Sequence, residues 1–253
     1  MMTVAQSEAR WAGAGAATIG TALGLPRVEV HARLPSTLDR AHELGAAGAV
    51  AGTLVIAEMQ TAGRGRAGRS WASPAGAGIW LTLVERPGDP DAIQVLSLRS
   101  GIRAARALDR FAEQPVELKW PNDLLVRGRK LGGILIEARW RDGRPDWVAI
   151  GFGVNVATPA GVQGATGLRT GTDRLEVLAE LVPALRSAAA GRGLLGSREL
   201  DQFAHRDVAR GKRCIEPTDG EVRGITAGGA LIVACEGGDA TFSAGSLRLV
   251  PEP

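Results

Sequence analysis

The spacing of apolar residues in the first half of the chain predicts strands and helices in turn. The alternation that starts at Val28 predicts a first strand, and Ser36 followed by Asp39 resembles a capping box at the start of a helix. Two short apolar strands and a long amphipathic helix are predicted next, at residues 53–57, 80–84 and 93–108.

The pattern changes after residue 116 to short strands broken by turns. Strands are predicted at residues 116–120, 124–126, 134–140 and 147–156. Arg127-Gly128 and Asp142-Gly143 are hairpin-turn sequences between them. This stretch is therefore predicted to be an antiparallel meander.

Two helices and a β-rich segment are predicted in the last third of the chain. Thr172 and Asp173 open the first helix, which Pro183 is expected to kink or divide, and Ser197 is expected to cap the second. Short strands separated by glycine-rich turns then follow at residues 213–216, 221–226, 231–235, 241–243 and 247–250. Short strands at this density suit a small barrel.

These elements divide the chain into three predicted parts. Residues 1–27 are expected to be a weakly ordered leader or a short helix, residues 28–210 an α+β domain, and residues 211–253 a small β-domain. The leader is too short for a helix-turn-helix DNA-binding domain.

Composition narrows the function classes. Of the 253 residues, 45% are apolar and 23% are charged, which is ordinary for a folded globular protein. The two cysteines, Cys214 and Cys235, match neither a zinc motif nor a disulfide framework, so we expect a reduced cytoplasmic compartment. No secretory signal and no membrane-spanning apolar run is recognisable. The net charge of +3 gives little support to nucleic-acid binding.

The most specific motif is GRGRAGRSW at residues 63–71, here called the Gly-Arg loop. Its glycines let the backbone approach a ligand, and Arg64, Arg66 and Arg69 could each hold phosphate oxygens. Trp71 offers a flat face to a purine. Taken alone, the loop could equally be an RNA-binding segment or a solvated turn.

A second motif, KWPND, occupies residues 119–123. Asp123, with Asn122, could face Mg²⁺ bound to a triphosphate, because this cation prefers carboxylate and amide oxygens together with phosphate. The alternative is an ion pair between Lys119 and Asp123 that closes a hairpin.

Two further motifs place glycines beside polar side chains. Lys130 precedes the pair Gly132-Gly133, which removes side chains where a ligand could lie against the backbone. The segment GFGVN, residues 151–155, alternates its glycines so that Asn155 should share their face. A solvated lysine and a bulge or barrel corner are the structural alternatives.

These four motifs, in this order and at these spacings, resemble the biotin protein ligase family, also called biotin–[acetyl-CoA-carboxylase] ligases. The resemblance extends from about Val30 to Val250. It implies a class II synthetase-like catalytic domain, a mixed sheet flanked by helices, followed by an SH3-like barrel. The chain resembles the short form of the family, without the DNA-binding domain of its repressor members.

The resemblance also implies roles for individual residues. The implied biotin-binding residues are Ser36, Thr37, Gln60, Arg64, Gly65, Arg66 and Lys130. The implied ATP-binding residues are Arg66, Arg69, Trp71, Asn122, Lys130 and Asn155. The implied catalytic residues are Arg66, Lys130 and Asp123, and Asp123 would also face Mg²⁺. Leu38 departs from the family, which often has Asn or Gln there, and Ala67 replaces a frequent arginine.

The implied activity is ATP-dependent conversion of biotin to biotinyl-adenylate, followed by transfer of biotin to a lysine of a biotin carboxyl carrier domain of acyl-CoA carboxylases. Biotin and ATP would be substrates, with Mg²⁺, and the protein would be a monomer or homodimer without DNA or membrane partners. A lipoate or octanoate ligase, a non-catalytic biotin sensor and a nucleic-acid binder are the alternatives. The Gly-Arg loop is expected to become ordered over the adenylate.

Overall fold

A computed structural model of the chain describes residues 9–251. Its helices are α1 (Ala16–Leu23), α2 (Thr37–Ala46), α3 (Pro90–Gln94), α4 (Leu96–Leu108), α5 (Arg174–Ala189) and α6 (Ser197–Ala204). The strands of the larger sheet are β1 (Arg27–His31), β2 (Thr53–Ala57), β3 (Gly78–Glu85), β4 (Glu117–Lys119), β5 (Asp123–Val126), β6 (Arg129–Arg141) and β7 (Arg144–Asn155). The remaining strands are β8 (Arg213–Glu216), β9 (Gly220–Ile225), β10 (Leu231–Cys235), β11 (Gly238–Phe242) and β12 (Arg248–Leu249).

The larger sheet has seven strands in the order β1-β2-β3-β7-β6-β5-β4. The β1–β2 pair is parallel and the other pairs are antiparallel, so the sheet is mixed. Every residue of β2 and β3 is buried, as expected for central strands that are covered on both faces. Helix α2 packs on one face, and α4 and α5 pack on the other. The predicted mixed sheet flanked by helices is confirmed.

The two predicted hairpin turns are confirmed by their backbone angles. Arg127 and Gly128 have φ of 52° and 69°, and Asp142 and Gly143 have φ of 51° and 74°. Positive φ at both central residues matches the right-handed twist of the flanking strands. The turns join β5 to β6 and β6 to β7, which produces the predicted meander and brings the glycines of β6 and β7 side by side.

The single helix predicted at residues 93–108 is wrong, because the structure divides it. Val95 has φ −102° and ψ 4°, which separates α3 from α4. Helix α3 starts earlier than predicted because the Asp89 carboxylate accepts the Asp91 N–H and Pro90 occupies the first turn.

Two other helix predictions need correction. Pro183 does not divide α5, which continues through it; the neighbouring Leu181, Val182 and Leu185 are fully buried, so tertiary packing outweighs one lost hydrogen bond. Ser197 is the first residue of α6 and not its cap. Gly196 is the cap, and its N–H donates to the Glu199 carboxylate at 3.2 Å.

The segment before β1 is packed where the structure describes it. The Trp11 side chain is fully buried, and the Arg174 guanidinium lies 4.8 Å from its ring centroid. The Ala12 N–H donates to the Glu58 carboxylate at 2.7 Å. Residues 9–27 therefore belong to the folded body through a buried tryptophan, while residues 1–8 of the predicted leader lie outside the described residues.

The C-terminal strands form an antiparallel five-stranded sheet in the order β11-β10-β9-β8-β12. This agrees with the predicted small β-domain, in which β11 and β12 are the sheet edges. The turn between β9 and β10 contacts the turn between β4 and β5, where the Trp120 indole N–H donates to the Gly229 carbonyl at 2.9 Å. The domain limits near residues 27 and 211 stay predictions. No helix between residues 9 and 251 is long and apolar enough to cross a membrane.

Candidate functional site

A cleft opens where the start of α2, the Gly-Arg loop and the middle of β6 and β7 meet. The predicted site residues that line it are Ser36, Thr37, Gln60, Arg64, Gly65, Arg66, Arg69, Trp71, Asn122, Asp123 and Lys130. Gly133, Gly151 and Gly153 form its floor. A Cβ atom on Gly153 would lie 2.8 Å from the Trp71 Nε1 atom, so the missing side chain lets the indole lie against the sheet.

One end of the cleft, here called the polar end, is lined by the uncharged groups of Ser36, Thr37, Gln60 and Thr82. Ser73, which contacts Gln60 from outside the lining, is counted with them as the fifth member. All except Gln60 are buried. Burial without a partner would be costly for such groups, so their hydrogen bonds decide how the site is organised.

A chain of hydrogen bonds fixes the Gln60 amide. The Thr82 hydroxyl donates to the Thr37 hydroxyl at 2.9 Å, and the Thr37 hydroxyl donates to Gln60 Oε1 at 3.1 Å. Gln60 Oε1 also accepts the Thr37 backbone N–H at 2.8 Å, while Gln60 Nε2 donates to Ser73 Oγ at 2.8 Å. The second N–H of Gln60 stays available to a ligand.

Ser36 begins helix α2 as the capping prediction requires. Its Oγ atom accepts the Leu38 N–H at 3.2 Å, and its backbone is extended. The bond goes to the second helical residue and not to the third, as a capping box would require. Because Oγ acts as an acceptor, its own hydrogen can point into the cleft.

The Gly-Arg loop is a small hairpin over the cleft. The Trp71 N–H donates to the Gly63 carbonyl at 2.8 Å, and the Gly65 N–H donates to the Arg69 carbonyl at 2.7 Å. A Cβ atom on Gly63 would lie 2.4 Å from the Trp71 carbonyl oxygen, so this position requires glycine. At the tip Ala67 has φ 53°, a left-handed conformation.

The other end of the cleft, here called the charged end, carries the ionic groups Arg66, Arg69, Asp123 and Lys130. The Asn122 amide and the Trp71 ring lie beside them. Lys130 Nζ lies 2.6 Å from Asp123 Oδ1 and 5.2 Å from the centroid of the Trp71 ring. The ion pair of Asp123 is formed with Lys130 of the adjacent strand and not with Lys119.

Arg66 reaches the charged end from the loop. Its Nη1 atom donates to Asn122 Oδ1 at 3.3 Å, and Asn122 Nδ2 donates to the Ile134 carbonyl at 2.7 Å. Burial and the neighbouring Arg69 charge lower the pKa of Arg66, while Asp123 opposes that shift. An anion in the cleft would therefore relieve repulsion between two guanidinium groups.

Asn155 is the predicted site residue that does not line the cleft. It is buried, and its Nδ2 atom donates to the Thr166 carbonyl at 3.1 Å and to the Lys130 carbonyl at 3.5 Å. The strand alternation places it on the face of Gly153, but the chain around Leu168 covers it. Its side chain contacts the backbones of Lys130 and Thr166, and its predicted role in ATP binding stays a prediction.

Sequence reasoning missed Thr82 and Ser73, which complete the polar end. Thr82 is the one hydroxyl inside the apolar strand β3, and a lone polar residue in a fully buried strand is a usable signal. Ser73 gives no such signal, since it lies in a loop.

Comparisons with known proteins indicate the family to which the chain belongs. The sequence model of the biotin/lipoate A/B protein ligase family matches residues 30–155. The bifunctional ligase/repressor BirA of Bacillus subtilis is 42% identical over 127 residues, which are 50% of this chain but 39% of that protein, so the match spans less than half of this relative's length.

A second relative is matched over most of its length. The biotin–[acetyl-CoA-carboxylase] ligase of Paracoccus denitrificans is 35% identical over 227 residues, 80% of this chain and 92% of that protein. The fold is that of the biotin protein ligase of Aquifex aeolicus solved with biotin and ATP, with a TM-score of 0.73, 24% identity, and coverage of 90% of this chain and 100% of that one. The chain thus belongs to the biotin protein ligase family.

Proposed function

We propose that this protein activates biotin with ATP and transfers the biotinyl group to a lysine of a biotin carboxyl carrier domain. The observation that carries the proposal is the division of one cleft into a buried uncharged end and a cationic end. Such a cleft suits a ligand that has a neutral polar head and an acidic tail, and biotin is such a molecule.

The polar end would bind the ureido ring of biotin. Its carbonyl oxygen needs donors, which the Ser36 hydroxyl and the second Gln60 N–H supply. Its N–H groups need acceptors, which Thr37 and Ser36 oxygens can provide. Leu38 lines the cleft beside them and supports an apolar contact.

The charged end would bind the carboxylate of biotin and the phosphates of ATP. Arg66 and Lys130 would hold the carboxylate and the α-phosphate together, and Arg69 would contact a phosphate. The Trp71 ring, whose buried Nε1 atom lies against Gly153, would flank the nucleotide. Arg64 and Gly65 would cover the chain of biotin from the loop.

A magnesium ion fits this site only together with the nucleotide. Residues 9–251 contain no group of three or more His, Cys, Asp or Glu side chains that could hold a metal ion. Asp123 is the single carboxylate among the described residues that line the cleft. Because Mg²⁺ is commonly held by one or two carboxylates plus substrate phosphates, Asp123 and Asn122 would supply the protein oxygens. The ion would offset phosphate charge.

The first reaction is attack of a biotin carboxylate oxygen on the α-phosphorus of ATP. A P–O bond to pyrophosphate breaks, and a mixed anhydride of biotin and AMP forms. Both reactants are anions, so their approach requires neutralisation and positioning by Arg66 and Lys130. No covalent bond to the enzyme is needed.

The second reaction is attack of the carrier lysine, as a free amine, on the carbonyl carbon of the anhydride. The C–O bond to AMP breaks, an amide forms, and the amine loses one proton. Asp123 is the candidate base because it is the carboxylate that lines the cleft. Its contact with Lys130 at 2.6 Å would have to open for this role.

The proposal is tested by incubating the full chain with a purified carrier domain, labelled biotin, ATP and Mg²⁺. ATP-dependent amide formation is expected, and a parallel reaction with lipoate should give none. Transfer of lipoate alone would favour the lipoate ligase alternative. Tight biotin binding without transfer would favour a sensor, and salt-sensitive binding of a nucleic acid would favour the arginine cluster as an RNA site.

A further inference from the structure

A partly buried histidine outside the cleft connects the sheet to the Gly-Arg loop. The His42 side chain, on α2, is 12% exposed. Its Nδ1 atom lies 3.1 Å from the Trp147 indole nitrogen on β7. Its Nε2 atom lies 2.8 Å from Glu137 Oε2 on β6. Both ring nitrogens therefore have a partner.

The identity of these partners fixes the tautomer of the histidine. An indole nitrogen donates and cannot accept, so His42 Nδ1 must accept the Trp147 N–H. The proton of the neutral ring is then on Nε2 and is donated to Glu137. Burial lowers the pKa of His42, and the nearby charges of Arg139 and Arg64 act in the same direction against that of Glu137.

The oriented carboxylate of Glu137 holds the base of the loop. Glu137 Oε2 lies 3.2 Å from Arg64 Nη2, and Asp39 Oδ1 lies 3.1 Å from the same nitrogen. Arg139 lies 3.9 Å from Glu137 Oε2. Arg64 is thus the loop residue that is tied to both α2 and β6.

The far end of this chain of contacts is fixed in the core. Trp147 is buried, and a Cβ atom on Gly45 would lie 2.5 Å from its Nε1 atom, so glycine there admits the ring. A rigid tryptophan orients His42, His42 orients Glu137, and Glu137 holds Arg64. None of Trp147, His42 and Glu137 lines the cleft.

We propose that His42 is a positioning residue which, through Glu137 and Arg64, keeps the Gly-Arg loop closed over the cleft. Within the proposed function, this contact sets how long biotinyl-adenylate is retained before transfer. Loss of the histidine would leave Glu137 free to rotate away from Arg64, and the loop would open more often. The chemical step would not require His42.

The test measures release of biotinyl-adenylate formed in place by the full chain, by chasing labelled adenylate with excess unlabelled biotin. His42→Leu should release it about five- to tenfold faster, as expected for about 1 kcal/mol from one interrupted hydrogen-bond chain. Trp147→Phe, which retains a ring but lacks the N–H, should move release in the same direction. His42→Gln, which can still donate to Glu137, should restore part of the retention.

A double-variant comparison separates this role from a structural one. In an Arg64→Leu background, His42→Leu should cause no further change in release, because its effect passes through Arg64. The matched control is His31→Leu, which removes a histidine that contacts Glu29 on the edge strand β1 and should leave release unchanged. Effects of His42 and Arg64 that multiply, or a lowered Tm with normal release, would overturn the proposal.

A ligand-free measurement keeps the two proposals distinguishable. Limited trypsin cleavage after Arg66 and Arg69 reports opening of the loop whether or not adenylate forms. We expect faster cleavage in His42→Leu than in the wild type and in His31→Leu. Failure of the wild type to form adenylate would refute the proposed function, while equal cleavage rates would refute the role of His42.

Discussion

The two ends of the cleft are built on different principles. At the polar end the Gln60 amide is fixed on both sides by neighbouring groups, and four of the five members are buried. At the charged end Arg66 and Arg69 repel each other, and the Trp71 N–H has no partner among the described residues. The side chains of the polar end are therefore oriented before a ligand binds, whereas the charged end keeps a repulsion that an anion would relieve.

This difference indicates which interactions are available before a ligand arrives. A pre-organised hydrogen-bond site loses little freedom on binding, so it can select its ligand by geometry. A cluster of cations gains most when an anion enters, because binding then removes repulsion as well as adding attraction. We expect the polar end to determine recognition of biotin and the charged end to determine catalysis.

The largest expected effect on the rate comes from removing the charge of Lys130, which would contact the biotin carboxylate and the α-phosphate. Lys130→Met should reduce kcat for adenylate formation about 10²–10³-fold, the loss typical of one electrostatic stabiliser. Biotin-dependent exchange of pyrophosphate into ATP measures this step. Lys130→Arg retains the charge and should recover part of the rate. A Met variant that loses biotin affinity but keeps kcat would contradict the division between the two ends.

A smaller effect is expected when the polar end loses its amide. Gln60→Leu leaves the Thr37 N–H without its acceptor, so the biotin KM should rise about 10–100-fold, corresponding to about 1–3 kcal/mol. The KM for ATP should change little. Gln94→Leu is the matched control, because the Gln94 amide contacts the Gly228 carbonyl away from the cleft. Equal increases in both KM values would show that the two ends are not independent.

Local patterns predicted the framework of the cleft. Apolar continuity located β2 with its observed ends, and the Arg127-Gly128 and Asp142-Gly143 pairs located the hairpins, because each signal acts over a few neighbouring residues. The break at Val95 escaped prediction, since an apolar residue carries no local signal for a non-helical backbone.

The roles of the site residues were predicted from the resemblance to a family and not from the local sequence pattern. The segments around Thr37, Arg66 and the hairpin that carries Asp123 and Lys130 are far apart in sequence, and only the sheet order β3-β7-β6-β5 brings their elements together. The hydroxyl chain through Thr82 depends on the packing of α2 against β3, which periodicity does not specify. The alternation of strand β7 likewise could not predict that the chain around Leu168 covers Asn155.

Arg66→Gly should weaken retention at the charged end without removing the polar end. Adenylate should escape about tenfold faster, since a charge-assisted contact contributes more than an ordinary hydrogen bond. Labelling of lysines on unrelated proteins should then increase, as measured by streptavidin blotting. Arg127→Gly provides a control at an exposed hairpin position with positive φ, where glycine is tolerated. Unchanged off-target labelling by Arg66→Gly would argue against retention by this residue.

The smallest expected effect is that of ionic strength, which should change the contribution of the charged end to binding more than that of the polar end. Raising salt from about 0.05 M to about 0.5 M shortens the screening length to a few ångströms, so contacts between exposed charges weaken while buried neutral hydrogen bonds do not. The KM for ATP should rise about threefold, a factor that corresponds to less than about 1 kcal/mol. The KM for biotin, measured at saturating ATP with Mg²⁺ in constant excess, should rise less, because its ureido ring would be held by the polar end. If the biotin KM rose as much as the ATP KM, the carboxylate of biotin would dominate its affinity, and recognition could not be assigned to the polar end.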